Sequence, residues 1–273
     1  MTHDAAAAGR PAPPRTTPPL PHPVLGDPVC MLTAAQESFL DALGKTDPEL
    51  PVPTCGGWRV ADLALHLAGI HWWASGMALG VDLDGADATE PREQDRLVEV
   101  YAWAAAHLRA TLTERPLDAP ALTLDGPGAA AFWYRRQLHE TLVHLVDLRL
   151  AAGEKPRGAA ADVWSAVWAD TVDEVVTVLH PRQVRLGRAA PPSVAVDLAA
   201  TDVHGPSGAI VLAPPVTEWR IGPPDAAPDA RVEGPAWALA LLLWGRLSPD
   251  DGALTVHGDP GALRAVLGRT LVP

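Results

Sequence analysis

The sequence contains little cysteine and little lysine, and these shortages narrow the class of protein. Its two cysteines, Cys30 and Cys55, cannot build a disulfide framework, which is typical of a reducing cytoplasm. With only Lys45 and Lys155 as lysines, the net charge is −12, which argues against nucleic acids and anionic membranes as partners. No apolar run approaches the roughly 20 residues of a membrane span. We therefore expect a cytoplasmic monomer or homodimer whose partners are small molecules.

The first 28 residues differ in composition from the rest of the chain. They are rich in proline and alanine and have no continuous apolar core. Such a segment cannot bury enough apolar surface to fold, so we interpret residues 1–28 as a disordered leader rather than a secretion signal. The remaining chain is long enough for two domains with cores of their own. We place these domains at residues 29–155 and 156–273.

The first of these domains carries four stretches in which apolar residues recur at helical spacing. The predicted helices span residues 30–44, 59–79, 93–114 and 129–152, and a connection over 115–128 is broken by prolines. Four helices of this length favour an antiparallel bundle in which ligands project into the core from facing helices.

The pattern changes after residue 156. A helix over 160–180, with Asp173 and Glu174 on its solvent side, is followed by short strand-like segments bounded by Gly, Pro or Asp. The predicted strands span residues 193–199, 208–212, 217–221, 230–234 and 254–257, and helices over 235–246 and 260–267 flank the last strand. This pattern predicts a small α+β domain, so the fold class of the whole chain is α+β.

The fourth predicted helix carries a pair of residues suited to a metal. Glu140 and His144 are four residues apart, so their side chains leave the helix on one face. A carboxylate and an imidazole aimed at one point suit a divalent cation. His139 is separated from His144 by about 140° around the helix, so it points elsewhere, and the segment is not a His-Glu-x-x-His zinc-protease motif.

A third ligand must come from another part of the chain. His66 lies on the second predicted helix, after the Gly56-Gly57 turn signal. Taken alone, it is more simply interpreted as a partly buried histidine bonded to a backbone carbonyl. His71, near the end of the same helix, is a weaker candidate for the ligand role.

Three motifs in order suggest a family. They are Pro53-Thr54-Cys55-x-Gly57-Trp58-x-Val60-x-Asp62-Leu63-x-x-His66-Leu67, then Arg136-x-x-His139-Glu140-x-x-x-His144-x-x-Asp147, then the C-terminal segments 230–236, 241–246 and 254–259. Over most of residues 28–270, the chain resembles the mycothiol-dependent maleylpyruvate isomerase family. The resemblance implies a DinB-like four-helix domain and a small C-terminal α+β domain of the sterol-carrier-protein type. It also implies a divalent metal, usually zinc, on His66, Glu140 and His144, and it favours ligation by His66.

Such a site suits thiol chemistry. Three protein ligands leave a coordination position open, and a thiol bound there loses its proton. Neither cysteine lies within a ligand motif, so we expect the sulfur to come from a cosubstrate. The resemblance implies mycothiol, the thiol of actinobacteria, and the scarcity of lysine fits such a source. We expect a thiol transferase or isomerase in which a metal-bound thiolate attacks an electrophile, with maleylpyruvate cis–trans isomerase proper as the alternative.

Further candidates surround the predicted metal. The resemblance places a functional arginine at Arg246, although a surface arginine at a helix C-terminus is an equally simple interpretation. Arg135 and Arg136 lie beside the ligand pair. Arg136 is a candidate for binding substrate or thiol. We expect one of the two arginines to pair with a surface carboxylate. Trp73 and Trp133 could line a pocket for a bulky substrate, although packing in the bundle core is the simpler interpretation.

Two interpretations from other classes remain. The protein could be a non-catalytic zinc-binding regulator, although the His-x-x-x-Cys-x-x-Cys motif of zinc anti-sigma factors is absent from the sequence. It could also be a metal-free binding module that holds a small apolar ligand in its C-terminal domain. Metal analysis of the purified protein separates this last possibility from the others.

Overall fold

The computed structural model describes residues 28–81, 83, 88–203 and 216–273. It confirms the α+β class, with an N-terminal helical part and a smaller C-terminal part. The predicted leader lies outside the described residues apart from Pro28, and so does the predicted strand at 208–212. Among the described residues, no helix is both long enough and apolar enough to cross a membrane.

Four long helices form the N-terminal part, as the helical periodicity predicts. They are α1 (Pro28–Leu43), α2 (Val60–Ala78), α3 (Gln94–Glu114) and α4 (Ala131–Ala151). Gly153, two residues beyond the end of α4, adopts a φ of 92°, a left-handed conformation that glycine reaches without strain. The connection before α4 was predicted only as a segment broken by prolines. It contains an antiparallel hairpin of β1 (Pro120–Thr123) and β2 (Gly126–Ala129).

The C-terminal part begins with helices, which are followed by a four-stranded sheet and two further helices. Its elements are α5 (Pro156–Ala159), α6 (Ser165–Glu174), α7 (His180–Arg185), β3 (Val196–Ala200), β4 (Glu218–Ile221), β5 (Ala230–Gly234), α8 (Ala236–Leu243), β6 (Thr255–Gly258) and α9 (Pro260–Leu267). The four strands lie in the order β4-β3-β5-β6, and β3 pairs with β5 in parallel while the other two pairings are antiparallel.

The helix predicted over 160–180 differs from the structure at both ends. It begins at Ser165, and a π-helical turn over Val175–Leu179 joins α6 to α7, which carries Pro181 in its first turn. A proline has no N–H to donate, so a regular α-helix tends to end before it. The wider π-helical turn lets the chain continue in helical form to Arg185.

Helix α4 is the central element of the molecule. Every residue from Trp133 to Leu148 is buried. Leu145 and Leu148 pack into the core between α1, α2 and α3, while Leu138 and Leu142 belong to the core that also contains α6, α8 and the sheet. Because α4 is enclosed on all sides, its polar side chains must find partners within the protein.

Candidate metal centre and its cavity

Helices α2 and α4 bring together the three predicted metal ligands. The Nε2 atom of His66 lies 3.7 Å from Glu140 Oε1, and the Nε2 atom of His144 lies 3.2 Å from the same oxygen. One ligand atom from each of the three residues lies within 4.8 Å of the other two. Glu140 and His144 are almost fully buried, whereas the His66 side chain is 26% exposed. The arrangement therefore has one open side.

A buried carboxylate sets the orientation of His144. The Nδ1 atom of His144 lies 2.9 Å from Asp147 Oδ2, so the ring donates there and presents Nε2 to Glu140. Burial alone would lower the pKa of His144, but the hydrogen bond and the charge of Asp147, together with the contact with Cys55, raise it. Burial likewise opposes ionisation of Asp147, yet the partners His144 and Arg246 hold the pKa of its carboxyl far below the usual range.

Arg246 reaches this carboxylate from the C-terminal part of the chain. Its Nε donates to Asp147 Oδ1 at 3.0 Å and its Nη2 to Oδ2 at 2.9 Å, while Nη1 donates to the Trp244 carbonyl at 2.6 Å. Its side chain is 13% exposed, so it is not the surface arginine of the simpler interpretation. A two-pronged contact of this kind fixes Asp147 and, through it, His144.

The loop before α2 adds two residues to this cluster. Thr54 Oγ1 donates to Asp147 Oδ1 at 2.5 Å, and Cys55 Sγ lies 3.4 Å from Oδ2. A turn in which the Trp58 N–H donates to the Cys55 carbonyl, and in which Gly57 has a φ of 83°, places both side chains there. Cys55, which lies in no ligand motif of the sequence, therefore lies beside the carboxylate that orients His144.

Cys55, His144 and Asp147 form a second group whose geometry could hold a metal ion. Its chemistry fits a cation less well, because the Arg246 guanidinium already contacts both oxygens of Asp147 and lies 3.5 Å from Cys55 Sγ. A metal ion there would have to displace an arginine or lie beside it. The group of His66, Glu140 and His144 is the better donor set.

Arg136 lies one turn before Glu140 on α4 and contacts two carboxylates. Its Nη2 contacts Glu140 Oε2, and its Nη1 donates to Glu174 Oε2 at 2.7 Å. Glu174 is 1% exposed and not on the solvent side of its helix, so that prediction was wrong. Burial would raise the pKa of Glu174, but the charges of Arg136 and His139 lower it to about 2.

The neighbouring arginine also has buried partners, contrary to the expectation of a surface carboxylate. Arg135 donates from Nε and Nη2 to Asp170, and from Nη2 to Asp173 at 2.8 Å. His139 lies between Asp170 and Glu174, with Nε2 at 3.1 Å and Nδ1 at 3.0 Å from their oxygens. Periodicity did not reveal these contacts, since it places charged residues of a helix towards solvent.

His71, the weaker candidate for a ligand, lies elsewhere in the bundle core. It is fully buried, its Nε2 is 3.1 Å from Gln36 Nε2, and its Nδ1 is 2.7 Å from Gln137 Oε1. Gln36 Oε1 accepts from Arg109, so the Gln36 amide N–H donates to His71 Nε2. His71 therefore donates from Nδ1 and is neutral.

A cavity of about 580 Å³ opens onto the metal-ligand group. Trp73 and Trp133 line this cavity and also pack in a hydrophobic core, so both interpretations of the two tryptophans apply. Arg136 and Arg246 line it as well, as do Trp58 and Trp244, which the sequence analysis did not single out.

Two further arginines of the wall, Arg182 and Arg188, were missed by the sequence analysis. The guanidinium of Arg182 donates to the Leu124 carbonyl at 3.0 Å and lies 4.0 Å from Asp125. Arg188 has no ion-pair partner among the residues that the structure describes. The described lining has four arginine side chains and one acidic side chain, that of Glu140, although carboxylates behind the wall pair with Arg136 and Arg246. Little in the sequence indicated Arg182 and Arg188 as wall residues, because neither belongs to a motif.

The fold and the donor set define a protein in which a four-helix bundle with a candidate metal centre is joined to a small α+β part. Two family models match in order: "Mycothiol maleylpyruvate isomerase N-terminal domain" over residues 31–149 and "MDMPI C-terminal domain" over residues 166–265. The chain belongs to the mycothiol-dependent maleylpyruvate isomerase family.

Solved structures agree with this assignment at the level of the fold. A mycothiol-dependent maleylpyruvate isomerase and a histidine-to-alanine mutant of that enzyme are each 14% identical to this chain, with TM-scores of 0.57 and 0.56. Each alignment covers 84% of this chain and 91% of the other. A comparison with curated protein sequences gives no match.

Proposed function

We propose that this protein is a metal-dependent enzyme that uses mycothiol, or a closely related low-molecular-weight thiol, to attack a small-molecule electrophile. The observation that carries the proposal is the convergence of His66, Glu140 and His144 at the wall of a cavity of about 580 Å³. Membership of a family whose model is named for mycothiol supports the thiol dependence.

The donor set fits a divalent cation such as Zn²⁺. Two imidazole nitrogens and one carboxylate oxygen are ligands that zinc accepts, and fewer than four protein ligands leave a position open. His66, Glu140 and His144 would hold the ion. Bound there, it would lower the pKa of an incoming thiol and so supply a thiolate at neutral pH.

The residues around the ligands prepare this site. Asp147 holds the proton of His144 on Nδ1, so that Nε2 offers its lone pair to the centre. Arg246 fixes Asp147 and lines the cavity, and we propose that it also contacts an anionic group of the thiol or the substrate. Trp73 and Trp133 form apolar wall that excludes water from the reacting atoms.

Two reactions fit. In S-transfer, the thiol sulfur bonds to the electrophilic carbon, and the electron pair of the attacked bond takes up a proton or departs with a leaving group. In cis–trans isomerisation, the sulfur adds to a conjugated alkene, the resulting single bond rotates, and elimination restores the thiol. Arg188, which has no ion-pair partner among the described residues, favours a substrate with a carboxylate. Maleylpyruvate would provide one, so maleylpyruvate isomerase proper is the second candidate.

The test is to incubate metal-loaded protein with mycothiol and candidate electrophiles and to follow products by mass spectrometry. A thioether adduct indicates S-transfer, whereas conversion of maleylpyruvate to its trans isomer without an adduct indicates isomerisation. His66→Ala and Glu140→Ala should each lose the metal, expected at about one ion per chain, and the activity while remaining folded. Full metal retention in both variants would refute the ligand assignment.

A cysteine variant tests the source of the sulfur. Activity should survive the joint replacement of Cys30 and Cys55 by serine, because the nucleophile is expected to be the cosubstrate. Arg246→Ala should reduce turnover without abolishing metal binding, although it should weaken that binding because Asp147, which orients His144, loses its guanidinium partner. A double cysteine variant that is folded and metal-loaded but inactive would indicate a nucleophile within the protein.

A further inference from the structure

Glu140 has two carboxylate oxygens, and they have different partners. Its Oε2 contacts the Arg136 guanidinium, while its Oε1 faces His66 at 3.7 Å and His144 at 3.2 Å. A carboxylate held in this way offers one oxygen, and not both, to the histidine side of the centre. Arg136 therefore sets the orientation of Glu140.

Arg136 is itself held from the C-terminal part of the chain. Glu174, the last residue of α6, accepts from Arg136 Nη1 at 2.7 Å. The side chains of Arg136 and Glu174 are 6% and 1% exposed, so water does not replace this contact. A guanidinium that contacts two carboxylates has a defined position, whereas one that contacts only Glu140 could turn with it.

The same contact determines the charge beside the centre. Glu174 neutralises part of the Arg136 charge at Nη1, whereas Glu140 contacts Nη2. Without Glu174, the whole charge of a buried guanidinium would bear on Glu140, which would make that carboxylate a weaker ligand for a cation.

We propose that Glu174 is a positioning residue, which acts through Arg136 to hold Glu140 with a single oxygen towards the two histidines and thereby sets the affinity of the centre for a divalent cation. The inference rests on the proposed function, because it takes His66, Glu140 and His144 as the ligands. It gives the C-terminal part of the chain a direct effect on the metal centre of the bundle.

Asp170 provides a matched control. Like Glu174 it is a buried carboxylate of α6 that contacts His139 and an arginine, but its arginine is Arg135, which does not contact Glu140. Asp170→Asn and Glu174→Gln should therefore destabilise the protein in a similar way. Only Glu174→Gln should disturb the ligand.

The experiment measures metal binding by the purified full-length protein. Zn²⁺ affinity is determined by competition with a chromogenic chelator, and the ligand geometry is followed by the visible absorption of bound Co²⁺. We expect Glu174→Gln to weaken Zn²⁺ binding by about 10-fold and to alter the Co²⁺ spectrum. This is the lower end of the usual effect of losing a residue bonded to a ligand, because Glu174 acts through Arg136. Asp170→Asn should retain the wild-type affinity and spectrum.

The outcomes separate this inference from the proposed function. Wild-type protein that binds no divalent cation would overturn both. Wild-type protein that binds zinc, with equal affinity and an unchanged Co²⁺ spectrum in Glu174→Gln, would overturn the role of Glu174 alone, as would an equal loss of affinity in Asp170→Asn. If Glu174→Gln does not fold, Glu174→Asp keeps the charge but draws it back by one methylene, and an unchanged affinity and spectrum in that variant would refute the inference.

Discussion

His71 should make the stability of the protein depend on pH between about pH 4 and pH 6.5. Burial, followed by smaller effects of nearby cationic groups, lowers the pKa of His71 from 6.5 to about 4. The cause is visible in its contacts: Nε2 accepts from the Gln36 amide, so a second ring proton would face a donor. In the unfolded chain the imidazole has its ordinary pKa.

The sign of the change in stability with pH follows from the number of protons bound in the folded and unfolded states. Between pH 6.5 and about 4, the unfolded state binds a proton at His71 that the folded state refuses, so stability falls as the pH falls through this window. At pH 5 the pH is about 1.5 units below the pKa of His71 in the unfolded chain, and each unit corresponds to about 1.4 kcal/mol. His71 should therefore contribute about 2 kcal/mol to the loss of stability between pH 7 and pH 5.

The variant His71→Gln removes the titrating group and keeps a polar side chain between Gln36 and Gln137. The free energy of unfolding is measured for both proteins by urea denaturation at pH 7 and pH 5, with a chelator present so that metal binding does not contribute. The variant is expected to be less stable at pH 7 but to lose about 2 kcal/mol less than the wild type on going to pH 5. Equal losses in the two proteins would show that His71 is not held neutral and would refute the reasoning.

Two other predictions concern the cavity. His144→Ala should abolish zinc binding, whereas His139→Gln should keep it, because His139 faces Asp170 and Glu174. Metal analysis of the folded variants measures both. Equal metal loss in the two variants would contradict the assigned face of α4. Arg188→Ala should weaken the binding of maleate about tenfold, the effect of losing roughly 1.4 kcal/mol, as followed by the fluorescence of the tryptophans that line the cavity. Arg185→Ala should leave maleate binding unchanged. It removes the same charge, but Arg185 pairs with Asp125 and lies outside the cavity lining. Equal weakening by both variants would indicate a general charge effect.

The helices of the bundle could be predicted from the sequence because each needs only a local pattern. The predicted span 93–114 agrees to within one residue with α3, and the span 59–79 agrees with α2 equally well. The alternation of short strands likewise predicted β4 and β5. The π-helical turn before Pro181 was not predictable in this way, because the proline itself is the usual sign of a helix end.

The polar residues of α4 show where local reasoning stopped. Periodicity assigns charged residues to solvent, but α4 is enclosed by α1, α2 and the C-terminal part, so Arg135 and Arg136 have to be paired inside. Their partners Asp170 and Glu174 lie about 35 residues away in sequence, and no spacing rule connects them.

The sequence by itself determined which side chains share a face of one helix. The four-residue spacing of Glu140 and His144 fixes their common direction, since the geometry of an α-helix is independent of its surroundings. Only the tertiary structure decided which side chains meet across elements: His66 with Glu140, Cys55 and Arg246 with Asp147, and Glu174 with Arg136. The physical reason is that these contacts depend on how helices and loops pack, and packing is set by the sum of many apolar contacts rather than by the residues that meet.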